Sequence, residues 1–469
     1  MTLNTHPTIE LLLSHVSSLL GVGLGILLMA RILRQQNRPA VSIAWLLSIL
    51  LMPYVGVPAY LLFGGRKLRS QAGRKERLFE PDCDAPDSRT KNHIEQVLLT
   101  AGMPPARRDN YVEVIPDGVE AFNTLLRLID EAQHSINIMT FILGRDDTGK
   151  AIIEHLARRA KEGVEVRLLL DALGCVRTRG RFANPLRAAG GKVGVFMPVL
   201  PLRRKWSANL RNHRKVAVFD QKRALIGGMN LAEEYMGSDP LDRRFIDTTA
   251  LVLGPVVHDF ATVFASDWEF ATDEDLVLLP AEPITPENDP GDAIAQMVAS
   301  GPDVVGDPLY EAILCAAYEA RERIWITTPY FIPDEGLLQA VVLQTRLGRD
   351  VRIILPAHSN HYLADLARGR FLRKLHAAGA KIYVHEKMIH AKHILFDDRV
   401  TVVGTVNFDV RSLYLNYEIA MFVYSESEIA RTEDWMQSLM NASTLYTPEK
   451  VSHARQWAED LGLLVSPLL

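Results

Sequence analysis

The chain has 469 residues, 48% hydrophobic and 23% charged, with a formal net charge of -4; it is too long for one ordinary core and globular in composition, so two or three domains are expected. The near-neutral balance argues against a nucleic-acid binder driven by bulk positive charge. Three widely spaced cysteines, Cys83, Cys175 and Cys315, show no CxxC or Cys/His pattern, which argues against a disulfide framework or a zinc site and for reduced thiols.

The first elements are apolar. Leu11 to Ala30 carries no formal charge, His15 aside, and Ala40 to Phe63 is a second uncharged run; each is long enough to cross about 30 Å of hydrocarbon. Arg31, Arg34 and Arg38 lie between the runs. Basic residues that follow the first run, with a second run after them, predict two retained membrane helices over residues 1–63, not a cleaved signal peptide. Pro53, Gly56 and Pro58 predict a kink in the second run, with a re-entrant hairpin as the alternative. Arg66, Lys67, Arg69, Arg74, Lys75 and Arg77 outnumber the basic residues of the link, which places the remainder of the chain on the cytoplasmic side of the cell membrane. Residues 64–107 are basic and then rich in Pro and Asp, and read as a linker along the membrane surface.

Two halves of one plan follow, at 108–289 and 290–445, with a C-terminal tail at 446–469. "FNTLLRLIDEAQHSINIMTFI" reads as a helix then a strand and is matched by "LYEAILCAAYEARERIWITTPYF". "GVEVRLLL" is matched by "GRDVRIIL", and "LRAAGGKVGVF" by "LHAAGAKIYVH". An insertion of roughly a dozen residues in the first half, within "MPVLPLRRKWSANLRN", carries Arg203, Arg204, Lys205 and Arg211 around Trp206. It reads as an electrostatic lip for an anionic lipid surface, or as an ordinary solvated loop. The expected fold is α/β: two duplicated α/β sandwich halves related by a pseudo-two-fold axis, with the related sites face to face.

The clearest repeat is "NHRKVAVFDQKRALIGGMN" at 212–230 against "IHAKHILFDDRVTVVGTVN" at 389–407. A constant offset aligns His213 with His390, Lys215 with Lys392, Asp220 with Asp397, Gly227 with Gly404 and Asn230 with Asn407. In a strand, residues two apart share a face, so each histidine projects beside its lysine. Two neighbouring cations repel and are useful where an anion such as phosphate binds between them, and each asparagine adds a neutral donor. Asp220 and Asp397 sit an odd number of residues from their histidines, in stretches that look like turns, which assigns them by spacing to turn capping or buried pairing.

The two HxKxxxxD motifs, each followed by Gly and then Asn, resemble those of the phospholipase D superfamily from about residue 108 to 445. The N-terminal segment and "TTPYFIPDE" at 327–335 resemble its bacterial cardiolipin synthase branch. The resemblance implies that His213, Lys215 and Asp220 with His390, Lys392 and Asp397 form the catalytic motifs. It assigns the nucleophile to His213, which would form a phosphohistidine, and the acid and base work to His390. It also implies that Asn230 and Asn407 bind phosphate, that Asp247 and Glu418 orient the histidines, and that Asp409, Arg411, Ser412 and Asn416 line the second half-site. No cofactor or metal is expected. Gly228 and Thr405 stand where serine is common in the family.

The activity implied is phosphatidyl transfer between two phosphatidylglycerol molecules at a membrane, giving cardiolipin and glycerol, with no nucleic-acid partner. The alternatives are a phospholipase D or transphosphatidylase using water, serine or ethanolamine, a membrane-tethered nuclease, and a non-enzymatic anionic-lipid binder. The oligomeric state is left open.

Overall fold

The computed structural model describes residues 75–79, 92–198, 210–279, 291–448 and 451–465. Nearer the N-terminus it describes 23, 26–30, 32, 39–54, 56–57 and 60. The chain divides into two compact units, Met1–Arg69 and Ser70–Leu469. In the first, the uncharged helix Pro39–Leu51 is 13 residues long. Leu28 and Ile32 are buried with Ile49 and Tyr60, and Trp45 meets Tyr60 edge-on at 5.4 Å. Among the described residues no helix is long and apolar enough to cross a membrane. Most of the first apolar run, the arginines linking the runs, and Arg66, Lys67, Arg69 and Arg74 lie outside the described residues, as do Cys83, the insertion's Arg203, Arg204, Lys205 and Trp206, and most of the Pro-rich boundary near 290.

The second unit holds both repeats. The first contributes β1 (Arg107–Ile115), β2 (Ser135–Thr140), β3 (Glu165–Asp171), β4 (Lys192–Phe196), β5 (Val216–Phe219), β6 (Arg223–Gly227) and β7 (Thr249–Leu253). The second contributes β8 (Ala293–Ser300), β9 (Arg323–Thr327), β10 (Phe331–Ile332), β11 (Asp350–Pro356), β12 (Lys381–His385), β13 (His393–Phe396), β14 (Val400–Gly404), β15 (Phe408–Asp409), β16 (Glu418–Val423) and β17 (Thr444–Leu445). Instead of two separate sheets, one 15-stranded sheet runs through both halves, and β10 and β15 form a small parallel pair of their own. Read outward from the central antiparallel β1–β8 pair, the order is β7-β6-β5-β2-β3-β4 on one side and β16-β14-β13-β9-β11-β12 on the other, with β17 at the far edge. Equivalent strands in the same outward order about an antiparallel pair are the pattern of a two-fold relation.

Alternation along the strands feeds a core on each face. In β3, Leu168 and Leu170 pack with helices Gly118–Glu131 and Asp147–Lys161, while Leu169 packs with helix Val256–Thr272. In β11, Ile353 and Leu355 face helices Pro308–Glu319 and Glu335–Arg346, while Ile354 faces helix Glu426–Asn441. Asp117, Asp146 and Asp334 cap three of these helices by accepting from backbone N–H groups of the first turn. Cys175 is buried, and burial pushes its thiol up to about 12, the setting of an inert packed thiol.

The stretch expected to be a linker is in part a piece of the body. Helix His93–Thr100 buries Ile94 and Leu98 in the core. Lys75, expected at a membrane surface, is buried and paired with Asp267 and Asp303. Arg214 lies in the same cluster, 2.9 Å from Asp267 and 3.1 Å from Asp303. Two cations and two carboxylates thus balance formally in a site closed to water. The tail also docks: β17 pairs with β12, and helix His453–Val465 lies on helix Tyr362–Ala378 through Glu459 with Arg373 and Asp460 with Arg370.

Removing one partner of a buried ion pair strands a charge and costs about 3–5 kcal/mol. Lys75→Met is therefore expected to lower the denaturant midpoint of the full-length protein in detergent by a corresponding amount. An unchanged midpoint would show that the segment does not belong to the folded core.

Candidate active site

Each repeated motif enters from the end of a short strand. His213 precedes β5 and His390 precedes β13, and both rings face one cavity of about 270 Å³. Asn230, Asn407, Phe141, Tyr235, Arg211 and Arg411 share the cavity wall. Phe141 meets the His213 ring edge-on at 5.1 Å and Tyr235 meets the His390 ring at 4.9 Å. The two repeated histidines are thereby brought together.

The carboxylates are exchanged between halves. His213 Nδ1 lies 2.9 Å from Glu418 of the second half, and His390 Nδ1 lies 2.6 Å from Asp247 of the first. The backbone repeats the exchange. The His213 N–H donates to the Tyr417 carbonyl at 2.9 Å, and the His390 N–H donates to the Ile246 carbonyl at 2.7 Å. Each histidine is thus pinned by main chain to the residue just before the carboxylate that orients its ring. A carboxylate on Nδ1 holds the proton there and leaves the Nε2 lone pair for chemistry.

The departure from serine at 228 has a steric cause. A Cβ at Gly228 would come within 2.2 Å of Asp247 Oδ1, so the shorter carboxylate fills the space a side chain would need. On the other side the Thr405 hydroxyl donates to Glu418 Oε2 at 2.5 Å. A hydroxyl supports the longer acid, and its absence admits the shorter one.

Asp220 and Asp397, counted with the catalytic motifs, lie at the opposite strand ends from their histidines, in hairpin turns with positive φ. Asp220 accepts from the backbone N–H groups of Gln133, His134 and Ser135 at 2.7–2.9 Å. Asp397 accepts from those of Arg321, Glu322 and Arg323, each at 2.9 Å. Burial opposes the Asp220 charge, yet those three donors hold its carboxyl below the usual range. These aspartates tie each hairpin to the preceding helix–strand turn and do not reach the cavity.

Burial dominates the electrostatics. It pushes His390 down to about 3, helped by the Lys392 charge and opposed by Asp247, and it lowers His213 against the pull of Glu418. Lys215 is brought down to about 7 and Lys392 to about 8, again chiefly by burial. Lys215 Nζ donates to the His213 carbonyl at 2.9 Å, and Lys392 Nζ lies 2.8 Å from His390 Nδ1. Burial opposes the charges of Asp247 and Glu418, but each stays below its usual range because a histidine and a lysine stand beside it. The site therefore has two anchored neutral imidazoles and two ammonium groups held close to losing their protons.

Arg211, expected on an exposed lip, is instead buried in the cavity wall, 3.6 Å from Asp171. A signal for this was present: Arg211, His213 and Lys215 follow one another at every second position, which puts all three on one strand face. Asp409 also lines the cavity, and burial raises its carboxyl to about 6.

The family described as "Cardiolipin synthase, PLD-like domain" matches residues 125–268 and 313–440, and that described as "Phospholipase_D-nuclease N-terminal" matches 23–65. Cardiolipin synthase 1 of Bacillus anthracis is 32% identical over 461 residues, covering 92% of this chain and 90% of its own. The major cardiolipin synthase of Bacillus subtilis is 32% identical over 471 residues, covering 95% and 97%. Among solved structures, the phosphatidylserine synthase of Haemophilus influenzae matches in fold with a TM-score of 0.60 at 16% identity, over 81% of this chain and all of that one.

Gly228→Ser is expected to displace Asp247 and cost about 10²-fold in turnover, the scale of a roughly 1 Å misplacement. Thr405→Ser, which keeps the hydroxyl, should stay near wild type; equal losses in both variants would contradict the steric account. A second expectation concerns pH. With Lys215 near 7 and Lys392 near 8, the charge that attracts phosphate is lost as pH rises. Because kcat/KM reports the free enzyme, it should fall between about pH 7 and pH 9. A profile that stays level to pH 9 would be inconsistent with these lysines as the anion-binding charges.

Proposed function

Because the chain belongs to the phospholipase D superfamily, in its cardiolipin synthase branch, we propose that it is a phosphatidyltransferase that joins two phosphatidylglycerol molecules into cardiolipin and releases glycerol. One observation carries the reading: two imidazoles, each backed by a buried carboxylate from the other half, open onto one cavity with two asparagines, beside two lysines.

In the first step His213 Nε2 attacks phosphorus while its Nδ1–H keeps donating to the Glu418 carboxylate. The bond to the glycerol oxygen breaks, and that oxygen takes a proton from His390. His390 is neutral in the free enzyme and takes up a proton from solvent at Nε2 as an arriving phosphodiester brings negative charge against it, opposing the burial and the Lys392 charge. In the second step His390 takes the proton of a hydroxyl on the second phosphatidylglycerol. That oxygen displaces His213 from phosphorus, which restores both imidazoles. Lys215, Lys392, Asn230 and Asn407 hold the phosphoryl oxygens while charge builds on them.

Reversed roles have one observation in their favour. His390 is the more firmly held in its neutral form, which suits a nucleophile. Water, serine or ethanolamine as acceptor remains the alternative chemistry. The two apolar N-terminal runs would hold the cytoplasmic body at the membrane, where both lipids are confined and their effective concentration is high.

Phosphatidylglycerol as the sole lipid is expected to give cardiolipin and glycerol in equal amounts; phosphatidic acid without cardiolipin would overturn the synthase reading. Intact-mass measurement on His213→Ala and His390→Ala tests the roles. A phosphatidyl adduct is expected only when His213 is present and His390 is replaced, and the converse pattern would establish the reversed assignment.

A further inference from the structure

The cavity wall carries positive groups beyond the repeated set. The transferring phosphate is served by two copies of one set: a histidine, a lysine and an asparagine from each half. Arg211 and Arg411 stand in the same wall and belong to neither copy. At the offset that superposes the two motifs, Arg211 falls on Met388 and Arg411 on Glu234, so duplication supplied no counterpart to either.

Both arginines sit on the side of the cavity next to Glu418. The Arg211 carbonyl accepts from the Tyr417 N–H at 2.9 Å, and the Arg411 carbonyl accepts from the Asn416 N–H at 3.0 Å. Burial weakens the hold of each guanidinium on its charge, and the Arg211 charge acts further against that of Arg411. Asp171 and Asp409 stand beside them as counter-charges. Each guanidinium thus has a carboxylate beside it, and an anion that enters the cavity meets both cations on one wall.

The reaction proposed above brings such an anion. The acceptor lipid carries its own phosphodiester three carbons from the attacking hydroxyl, and it must approach a phosphohistidine that is itself negative. A planar guanidinium fork matches phosphate oxygens and stays charged where a buried lysine does not. We propose that Arg211 and Arg411 form a second anion subsite that holds the phosphodiester of the acceptor lipid and so selects an anionic acceptor over a neutral alcohol. The inference rests on the transferase reading and assigns specificity within it.

A competition between acceptors tests it. Full-length protein is given phosphatidylglycerol micelles with excess ethanol, and cardiolipin and phosphatidylethanol are measured together. Both products come from one covalent intermediate, so their ratio reports acceptor choice independently of how much enzyme is active. Arg211→Gln and Arg411→Gln are expected to lower the cardiolipin to phosphatidylethanol ratio by about tenfold or more, the scale of one lost charge-assisted contact. Arg411→Lys, which keeps charge but loses the fork, should fall between. A ratio that stays at the wild-type value while both products decline together would overturn the subsite. If the Gln variants make neither product, the Lys variant decides, and a wild-type ratio there overturns it equally. Wild-type protein that makes phosphatidylethanol but no cardiolipin would instead sink the cardiolipin synthase reading on which the subsite rests.

Discussion

The exchange of carboxylates between halves is the constraint on which the site depends. Glu418 is fully buried and reaches His213 of the first half, while Asp247 is fully buried and reaches His390 of the second. An ionised carboxylate left in such a place without its partner would cost several kcal/mol. Neither half can therefore be a smaller working copy of the whole, because each contains an orienting acid and lacks the ring that acid serves. The continuous sheet and the backbone bonds from His213 to Tyr417 and from His390 to Ile246 follow from the same need. They fix the two halves at a spacing where the exchanged pairs form.

Strand alternation then couples this site to a second buried network. His213 faces the cavity, and Arg214, the next residue, faces the other way. There it meets Asp267, Asp303, the Ser300 carbonyl and the Glu418 carbonyl. Lys75 completes the set, with its ammonium 5.3 Å over the Tyr417 ring. Such a network contributes less to stability than its contact count suggests, since desolvation offsets much of the attraction. Its effect is on register: the residue between His213 and Lys215 is tied at once to both halves and to the segment that follows the apolar N-terminus.

Much of this was legible in the residues. The duplicated motif located both histidines, both lysines and both asparagines, and the odd spacing of Asp220 and Asp397 pointed to turns, where their carboxylates bind backbone N–H groups. Asp247 and Glu418 were found by resemblance, but which histidine each serves was not, because strand periodicity describes one chain segment and the exchange is a relation between segments distant in sequence. Lys75 looked like one more basic residue after an apolar run; only the surplus of acid on Asp267 and Asp303 places it inside. Arg211 was misread because a basic loop outweighed the alternation that puts it on the face of His213. Gly228 looked like a plain departure from the family's serine, when the volume of Asp247 requires the missing side chain.

A duplicated site begins with two equal histidines, whereas transfer between two substrates needs them to differ. The structure contains the differences in pairs. Asp247 with Gly228 opposes Glu418 with Thr405, so one imidazole is held by a short acid in a tight recess and the other by a longer acid braced by a hydroxyl. The His390 side chain is 5% exposed and that of His213 12%, and burial lowers His390 to about 3. Arg211 and Arg411 add charge on the Glu418 side alone. None of these changes touches the repeated His, Lys and Asn, which on the proposed mechanism remain alike because both halves hold one phosphoryl group. Symmetry is therefore kept where one phosphate is shared and lost where two substrates must be told apart, and the residues just outside the motif are where a duplicated fold can separate those roles without disturbing the chemistry.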